Sequence, residues 1–92
     1  MQEDYDFEWD EAKSESNFRK HGVSFTDARR IWDDPCFIEA YLTSEPEDRW
    51  AVVGRLGKSD YLTAIVTYRN GKVRIISARK STKKEVDVYG KN

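Results

Sequence analysis

The dipeptide Asn70-Gly71, set between two runs rich in Val, Ile, Tyr and Thr, constrains the fold of this chain more than any other feature. A two-residue type I′ turn needs positive φ at both central positions, and Asn-Gly tolerates that best. Residues 61–80 are therefore expected to form an antiparallel hairpin. Counting outward from the turn puts Tyr68 opposite Val73, Val66 opposite Ile75, Ala64 opposite Ser77 and Leu62 opposite Arg79, on a mostly apolar face. The other face then carries Tyr61, Thr63, Ile65, Thr67 and Arg69 against Lys80, Ala78, Ile76, Arg74 and Lys72. Arg69, Lys72, Arg74 and Lys80 converge there, with Tyr61 nearby. Arg79 falls on the apolar side in this register, which suits a guanidinium only if it lies at the strand's end, where the sheet opens to solvent.

Elements upstream are marked by local signals. Tyr5 to Trp9 alternates aromatic and acidic residues, the period of a short strand at a sheet edge. Asp10 is placed to cap a helix running to His21, and Gly22 to end it. Ser24 and Asp27 resemble a capping box for a second amphipathic helix, through Phe25, Ala28, Ile31 and Trp32 to the Asp34-Pro35 break. Cys36 to Leu42 and Trp50 to Leu56 read as strands, Thr43 to Asp48 as an exposed loop, and Gly57 to Asp60 as a turn. A short helix from Thr82 to Tyr89 closes the chain. The pattern predicts an α+β domain: two N-terminal helices on a mainly antiparallel sheet of four to five strands, with a short C-terminal helix.

At 92 residues the chain is expected to be a single domain over 1–92. One cysteine, Cys36, allows no internal disulfide and no thiolate metal centre, and it reads as an inert core thiol. No apolar run approaches the roughly 20 residues of a membrane span, and the acidic start lacks a secretory pattern, so a cytoplasmic location is expected. No cofactor is implied.

The net charge of −1 hides a division. Residues 1–48 hold 14 Asp/Glu against 5 Lys/Arg, whereas residues 49–92 hold 3 against 11. Such asymmetry points to a polyanion-binding face opposed by an acidic one. A cationic sheet face beside a tyrosine suits single-stranded RNA, because Lys and Arg follow phosphates while an aromatic ring stacks on a base. The competing reading is an ordinary solvated sheet face, with the two halves intermixed as surface ion pairs.

Phe7-Glu8-Trp9-Asp10 with Lys13, followed by Asn17-Phe18-Arg19-Lys20-His21-Gly22-Val23-Ser24-Phe25, resembles the N-terminal signature of the BrnT family. Arg49, Gly54, and Val73-Arg74-Ile75-Ile76-Ser77-Ala78-Arg79-Lys80 leading into Thr82-Lys83-Lys84-Glu85 are similar to its closing strand and helix. The resemblance spans about residues 5–89. Lys80 stands where arginine is frequent in the family, and residues 1–6 and the 43–48 loop are particular to this chain. The resemblance implies a RelE-like fold and an RNA-cleaving, translation-inhibiting toxin of a type II toxin–antitoxin system. It further implies neutralisation by a BrnA-like ribbon-helix-helix antitoxin, with operator DNA bound only through that complex and a homodimer inside a heterotetramer as the assembly.

Under that implication each side chain acquires a candidate role. RNA can be cut without metal because its own 2′-hydroxyl attacks the adjacent phosphorus, leaving the protein to move two protons and stabilise charge. Arg74 and Arg79 suit charge stabilisation, as guanidinium groups donate bidentately to phosphate and stay ionised. Lys20 assists, and His21 is the candidate acid or base, being the only histidine. His21 equally suits a capping role at the helix C-terminus. Tyr68 is a further candidate acid, although the register assigns it to the core. Lys80, Arg69, Lys72, Tyr61 and Arg49 are candidate substrate-binding residues, and Glu8 and Glu85 candidate orienters of the cations. Trp9, Trp32 and Trp50 read as core or interface residues. Two other readings remain: a non-catalytic interaction module, and a degenerate toxin that binds its antitoxin without cutting RNA.

Overall fold

In the computed structural model, which describes residues 5–91, the hairpin forms the centre of a five-stranded sheet. Its strands are β4 (Tyr61–Arg69) and β5 (Lys72–Lys80). The turn between them has φ of 53° at Asn70 and 77° at Gly71, as a type I′ turn requires. Strands β3 (Arg49–Arg55) and β2 (Ile38–Thr43) extend the sheet antiparallel beyond β4. On the other side β1 (Phe7–Glu8) joins β5 in parallel, giving the order β1-β5-β4-β3-β2. The expected N-terminal strand is thus present at a sheet edge, reduced to two residues, with Phe7 opposite Val73 and Glu8 opposite Arg74.

Helix α1 (Glu11–His21) starts where the Asp10 carboxylate accepts the N–H groups of Ala12 and Lys13, and it ends at Gly22 with φ of 74°. Ser24 caps α2 (Phe25–Ala28) by accepting the Asp27 N–H. The second helix does not run on to Asp34 as expected. It tightens into a 3-10 turn over Arg29–Asp33, which presses onto β3. The approach is close: a Cβ on Gly54 would sit 2.6 Å from Ile31 Cγ2 and 3.0 Å from the Ile31 carbonyl oxygen. Helix α3 (Lys83–Gly90) opens with a reciprocal capping box between Thr82 and Glu85. The architecture is α+β, as the sequence pattern predicts.

One face of the sheet, covered by α1, α2 and the 3-10 turn, holds the core. Phe25, Ile31, Val52, Val66 and Ile75 are fully buried there, each worth roughly 1.5–3 kcal/mol in water-excluded apolar surface. Trp32 is buried, and Trp9 and Trp50 pack against the cluster from its rim.

Three expectations are corrected. Cys36 is exposed, because Asp34-Pro35-Cys36 forms a turn in which the Asp34 carboxylate accepts the Cys36 N–H, and the strand begins only at Ile38. Tyr68 is 41% exposed, since β3 pairs with β4 only as far as Val66 and leaves the turn end of the hairpin projecting. Its ring lies 5.0 Å from that of Trp50 and its hydroxyl donates to Glu39; burial, followed by that hydrogen bond, lifts its pKa far above the usual phenol range. The third correction concerns register. From Arg69 opposite Lys72 to Val66 opposite Ile75 the pairing is as counted, but Ile65 then faces Ser77, Ala64 faces Ala78, Thr63 faces Arg79 and Leu62 faces Lys80. Ile76 is the extra residue of a β-bulge, and each residue after it changes face.

Candidate functional site

The bulge turns Arg79 onto the face of β5 that carries Arg74. Their partners on β4, Thr63 and Thr67, are four residues apart, which places the two arginine Cα atoms about 13 Å from one another along the strand. A guanidinium on an apolar face is thereby avoided, and the strand-end placement expected for Arg79 is not needed. The same slip removes Lys80 from this face. It pairs with Leu62 on the helix side and lines a cleft of about 460 Å³ with Gly22, Val23 and Arg30, so its predicted grouping with Arg74 is incorrect.

Arg49, Arg69, Arg74 and Arg79 of this face each have an acidic partner outside their own strand. Arg74 Nη1 donates to Glu8 Oε2 at 3.2 Å, across the parallel pairing of β1 with β5. Arg79 meets Glu85 of α3 through Nη1 to Oε1 at 2.7 Å and Nη2 to Oε2 at 2.8 Å. Glu85 also accepts from Thr63 Oγ1 and from the Thr82 N–H, and the Arg79 guanidinium is the largest influence holding its carboxyl down at about 2. In the 44–48 loop Glu47 accepts from Arg69 at 2.8 Å and from Arg49 at 3.3 Å, and the Arg69 hydrogen bond lowers its pKa. Arg49 Nε is buried without a hydrogen-bond partner. The acidic and basic halves of the sequence therefore interleave on this face rather than forming two opposed surfaces.

These ion pairs leave donors free. A guanidinium has five N–H groups; Arg74 uses one on Glu8, and its side chain is 30% exposed. Exposed pairs of this kind contribute only about 0–1 kcal/mol, little enough for a phosphate to compete with the carboxylate. Lys72, opposite Arg69 beside the turn, is exposed and has no carboxylate within salt-bridge distance among the described residues.

A second basic element adjoins the bulge. Lys13, Asn17, Lys20 and His21 recur at spacings of four and three, so they share one face of α1. With Ser16, Ile76 and Ser77 they line a shallow pocket of about 190 Å³. Lys20 and His21 are both exposed. Gly22 rather than His21 closes the helix, its N–H donating to the Phe18 carbonyl. The predicted residues thus divide: Arg74 and Arg79 share the open face of β5, whereas Lys20 and His21 lie on α1 beside Ile76 and Ser77, in a pocket that neither arginine lines. Arg49, Arg69 and Lys72 lie at the turn end. Tyr61 sits at the opposite end, its ring 5.4 Å from Tyr89 of α3, which leaves it less open as a stacking platform. Sequence reasoning missed Glu47, Thr63 and the structural part played by Asn17. The doublet Ile75-Ile76, which breaks strand alternation, was the available signal for the bulge. Among the described residues no group of three or more His, Cys, Asp or Glu side chains is placed to hold a metal ion, and no helix is long and apolar enough to cross a membrane.

Comparison with known proteins bears on this arrangement. The model of one family, described as the ribonuclease toxin BrnT of type II toxin–antitoxin systems, matches residues 9–85. No curated protein matches the chain. The crystal structure of the Brucella abortus ribonuclease toxin BrnT superposes with a TM-score of 0.69 at 19% identity, covering 87% of this chain and 100% of that one. At that identity the likeness speaks to the fold.

Proposed function

Because the chain belongs to the BrnT family of ribonuclease toxins of type II toxin–antitoxin systems, we propose that it is a metal-independent endoribonuclease whose reaction centre is the bulged segment of β5. The observation that supports this reading best is the sharing of one sheet face by Arg74 and Arg79; Lys20 and His21 line a pocket with Ile76 and Ser77 of the bulged segment. RNA lies across the face, and its 2′-hydroxyl attacks the adjacent phosphorus. The new P–O2′ bond forms as the P–O5′ bond breaks, leaving a 2′,3′-cyclic phosphate and a 5′-hydroxyl. Arg74 and Arg79 donate to the non-bridging oxygens as charge accumulates on them, exchanging part of their contact with Glu8 and Glu85 for contact with phosphate. His21 takes the 2′-hydroxyl proton or supplies one to the departing oxygen, and Lys20 offsets the remaining charge. Arg49, Arg69, Lys72 and Tyr61 guide the flanking strand.

In the cell the activity acts in the cytoplasm and halts translation. A BrnA-like ribbon-helix-helix antitoxin neutralises it and carries the complex to operator DNA, as a homodimer of toxin within a heterotetramer. Cleavage of single-stranded RNA in EDTA by the purified chain tests the core of the proposal. Cleavage that depends on added metal, or products bearing 5′-phosphates, would show it to be wrong.

One observation favours a second reading, a non-catalytic module or inactive toxin: Arg49, Arg69, Arg74 and Arg79 all have carboxylate partners already. Expression of the chain alone separates the two, since growth arrest with loss of RNA supports the enzyme and harmless expression supports the module.

A further inference from the structure

Strand β1 covers β5 only at Val73 and Arg74. Past the bulge, no strand among the described residues adjoins that edge of β5, yet Ala78 is fully buried. Its N–H and C=O must find partners, because a buried peptide group without them is strongly disfavoured. Asn17 of α1 supplies both. Its Nδ2 donates to the Ala78 carbonyl at 2.7 Å while its Oδ1 accepts the Ala78 N–H at 3.2 Å, the two-point pattern that a neighbouring strand's peptide would offer. The second Nδ2 hydrogen goes to the Val23 carbonyl at 2.7 Å, and Oδ1 also accepts from Ser77 Oγ at 3.4 Å. Asn17 is 8% exposed, and the donors of its carboxamide are fully engaged.

We propose that Asn17 is a positioning residue: its carboxamide stands in for the missing strand beside β5 and holds the bulged segment in the register that sets Arg79 on the face of Arg74. The β5 chain is pinned on both sides of Ile76, by β1 at Arg74 and by Asn17 at Ala78. Without the second pin, the slip that separates the two registers loses its fixed end, and Arg79, next to Ala78, loses its assigned face. The same carboxamide ties the strand to the last turn of α1, where Lys20 and His21 follow at spacings of three and four. No other residue type offers this combination at this reach: aspartate would aim an oxygen at two carbonyl oxygens, and serine falls short.

The catalytic part of this inference rests on the ribonuclease reading; the structural part does not, and the experiment separates them. Single-turnover cleavage of single-stranded RNA is compared for the full chain, Asn17→Ser, Arg79→Ala and the double variant, together with hydrogen exchange at the Ala78 amide. The expected result is a loss of about tenfold or more on Asn17→Ser in the native background, and less than about twofold when Arg79 is already alanine, because a residue acting through Arg79 has nothing left to position. Exchange at Ala78 accelerates in Asn17→Ser while the global unfolding transition persists. Equal losses in both backgrounds would mark Asn17 as a general stabiliser and overturn the proposal. So would an Ala78 amide that is unprotected in the native chain, a measurement that needs no variant to fold. If the native chain leaves RNA intact, the ribonuclease reading fails by itself; the inference is then judged by the cross-strand magnetisation transfer between Thr63 and Arg79, whose persistence in Asn17→Ser overturns it and whose loss supports it. Should Asn17→Ser not fold, Asn17→Asp, which keeps the acceptor for the Ala78 N–H and loses both donors, takes its place in each arm.

Discussion

The guanidinium of Arg79 and the carboxylate of Glu85 lie fork to fork, joined by two hydrogen bonds of 2.7 and 2.8 Å. This contact, reinforced by Thr63 and Thr82, holds Glu85 at about 2, against about 4.3 for glutamate in an unfolded chain. A carboxyl whose pKa is lower in the folded state contributes stability that is fully present above the unfolded value and disappears as pH falls through the folded one. Stability is therefore expected to drop between about pH 4.5 and pH 2, by about 1–2 kcal/mol from this group after allowance for solvent screening. Glu85→Gln should flatten that acid limb in urea titrations at stepped pH, leaving the remainder of the profile unchanged. An acid limb of the same depth in the variant would assign it to other carboxylates.

Arg74 and Arg79 are expected to be needed for cleavage without being required for folding. Arg74 is held by one partly exposed ion pair, worth at most about 1 kcal/mol, and Arg79 by the two-point contact with Glu85, worth about 1–2 kcal/mol, so Arg74→Ala should lower the melting temperature by no more than about 4–8 °C and Arg79→Ala by at most about twice that. Their cleavage rates should fall by about tenfold or more, equivalent to about 1.4 kcal/mol of barrier. Arg79→Lys should recover little of the loss, as an ammonium cannot reproduce a planar two-point contact. Thermal denaturation alongside single-turnover cleavage checks both halves.

Lys80, despite its place in a run of basic residues, faces the helix side of the sheet opposite Leu62. Lys80→Ala is expected to change RNA affinity by less than about twofold, whereas Lys72→Ala weakens it and reduces the slope of log affinity against log salt by roughly one phosphate contact. Filter binding over a salt series distinguishes them.

Gly54 is required by contact. Adding a methyl group would bring it to 2.6 Å from Ile31 Cγ2 and 3.0 Å from the Ile31 carbonyl, one of them backbone. Gly54→Ala should cost about 1–3 kcal/mol of stability and lower the melting temperature by about 4–8 °C for each kcal/mol. Calorimetry would reveal a smaller change if the 3-10 turn could lift away from β3 without loss.

The hairpin, the caps at Asp10, Ser24 and Thr82, and the edge strand before α1 were legible in the sequence because each depends on residues close together along the chain. The bulge was not. Ile76 is chemically like Ile75, and one inserted residue with no Gly or Pro to mark it reversed the faces of Arg79 and Lys80 while leaving the composition of the strand unremarkable. The ion pairs were legible in part: Glu8 and Glu85 stood out as orienters, whereas Glu47 became visible only when the 44–48 loop was seen to fold back onto Arg69 and Arg49. The charge division misled for a similar reason, as the parallel pairing of β1 with β5 brings Glu8 from the acidic half to Arg74 in the basic half. Cys36 reads as a core residue from its apolar neighbours and Tyr68 from the hairpin register, but their exposure is set by where a turn and a strand end.

The pairing of Phe7 with Val73 spans most of the polypeptide. Contacts between such distant positions form late, since closing a long loop costs entropy before the contact returns anything. A nascent chain carrying Glu8 but not yet Arg74 has no edge on which to seat β1, and Asn17 has no Ala78 to hold. On the ribosome, then, the arginine face is assembled only once β5 has emerged, and a product cut short before Arg74 lacks it.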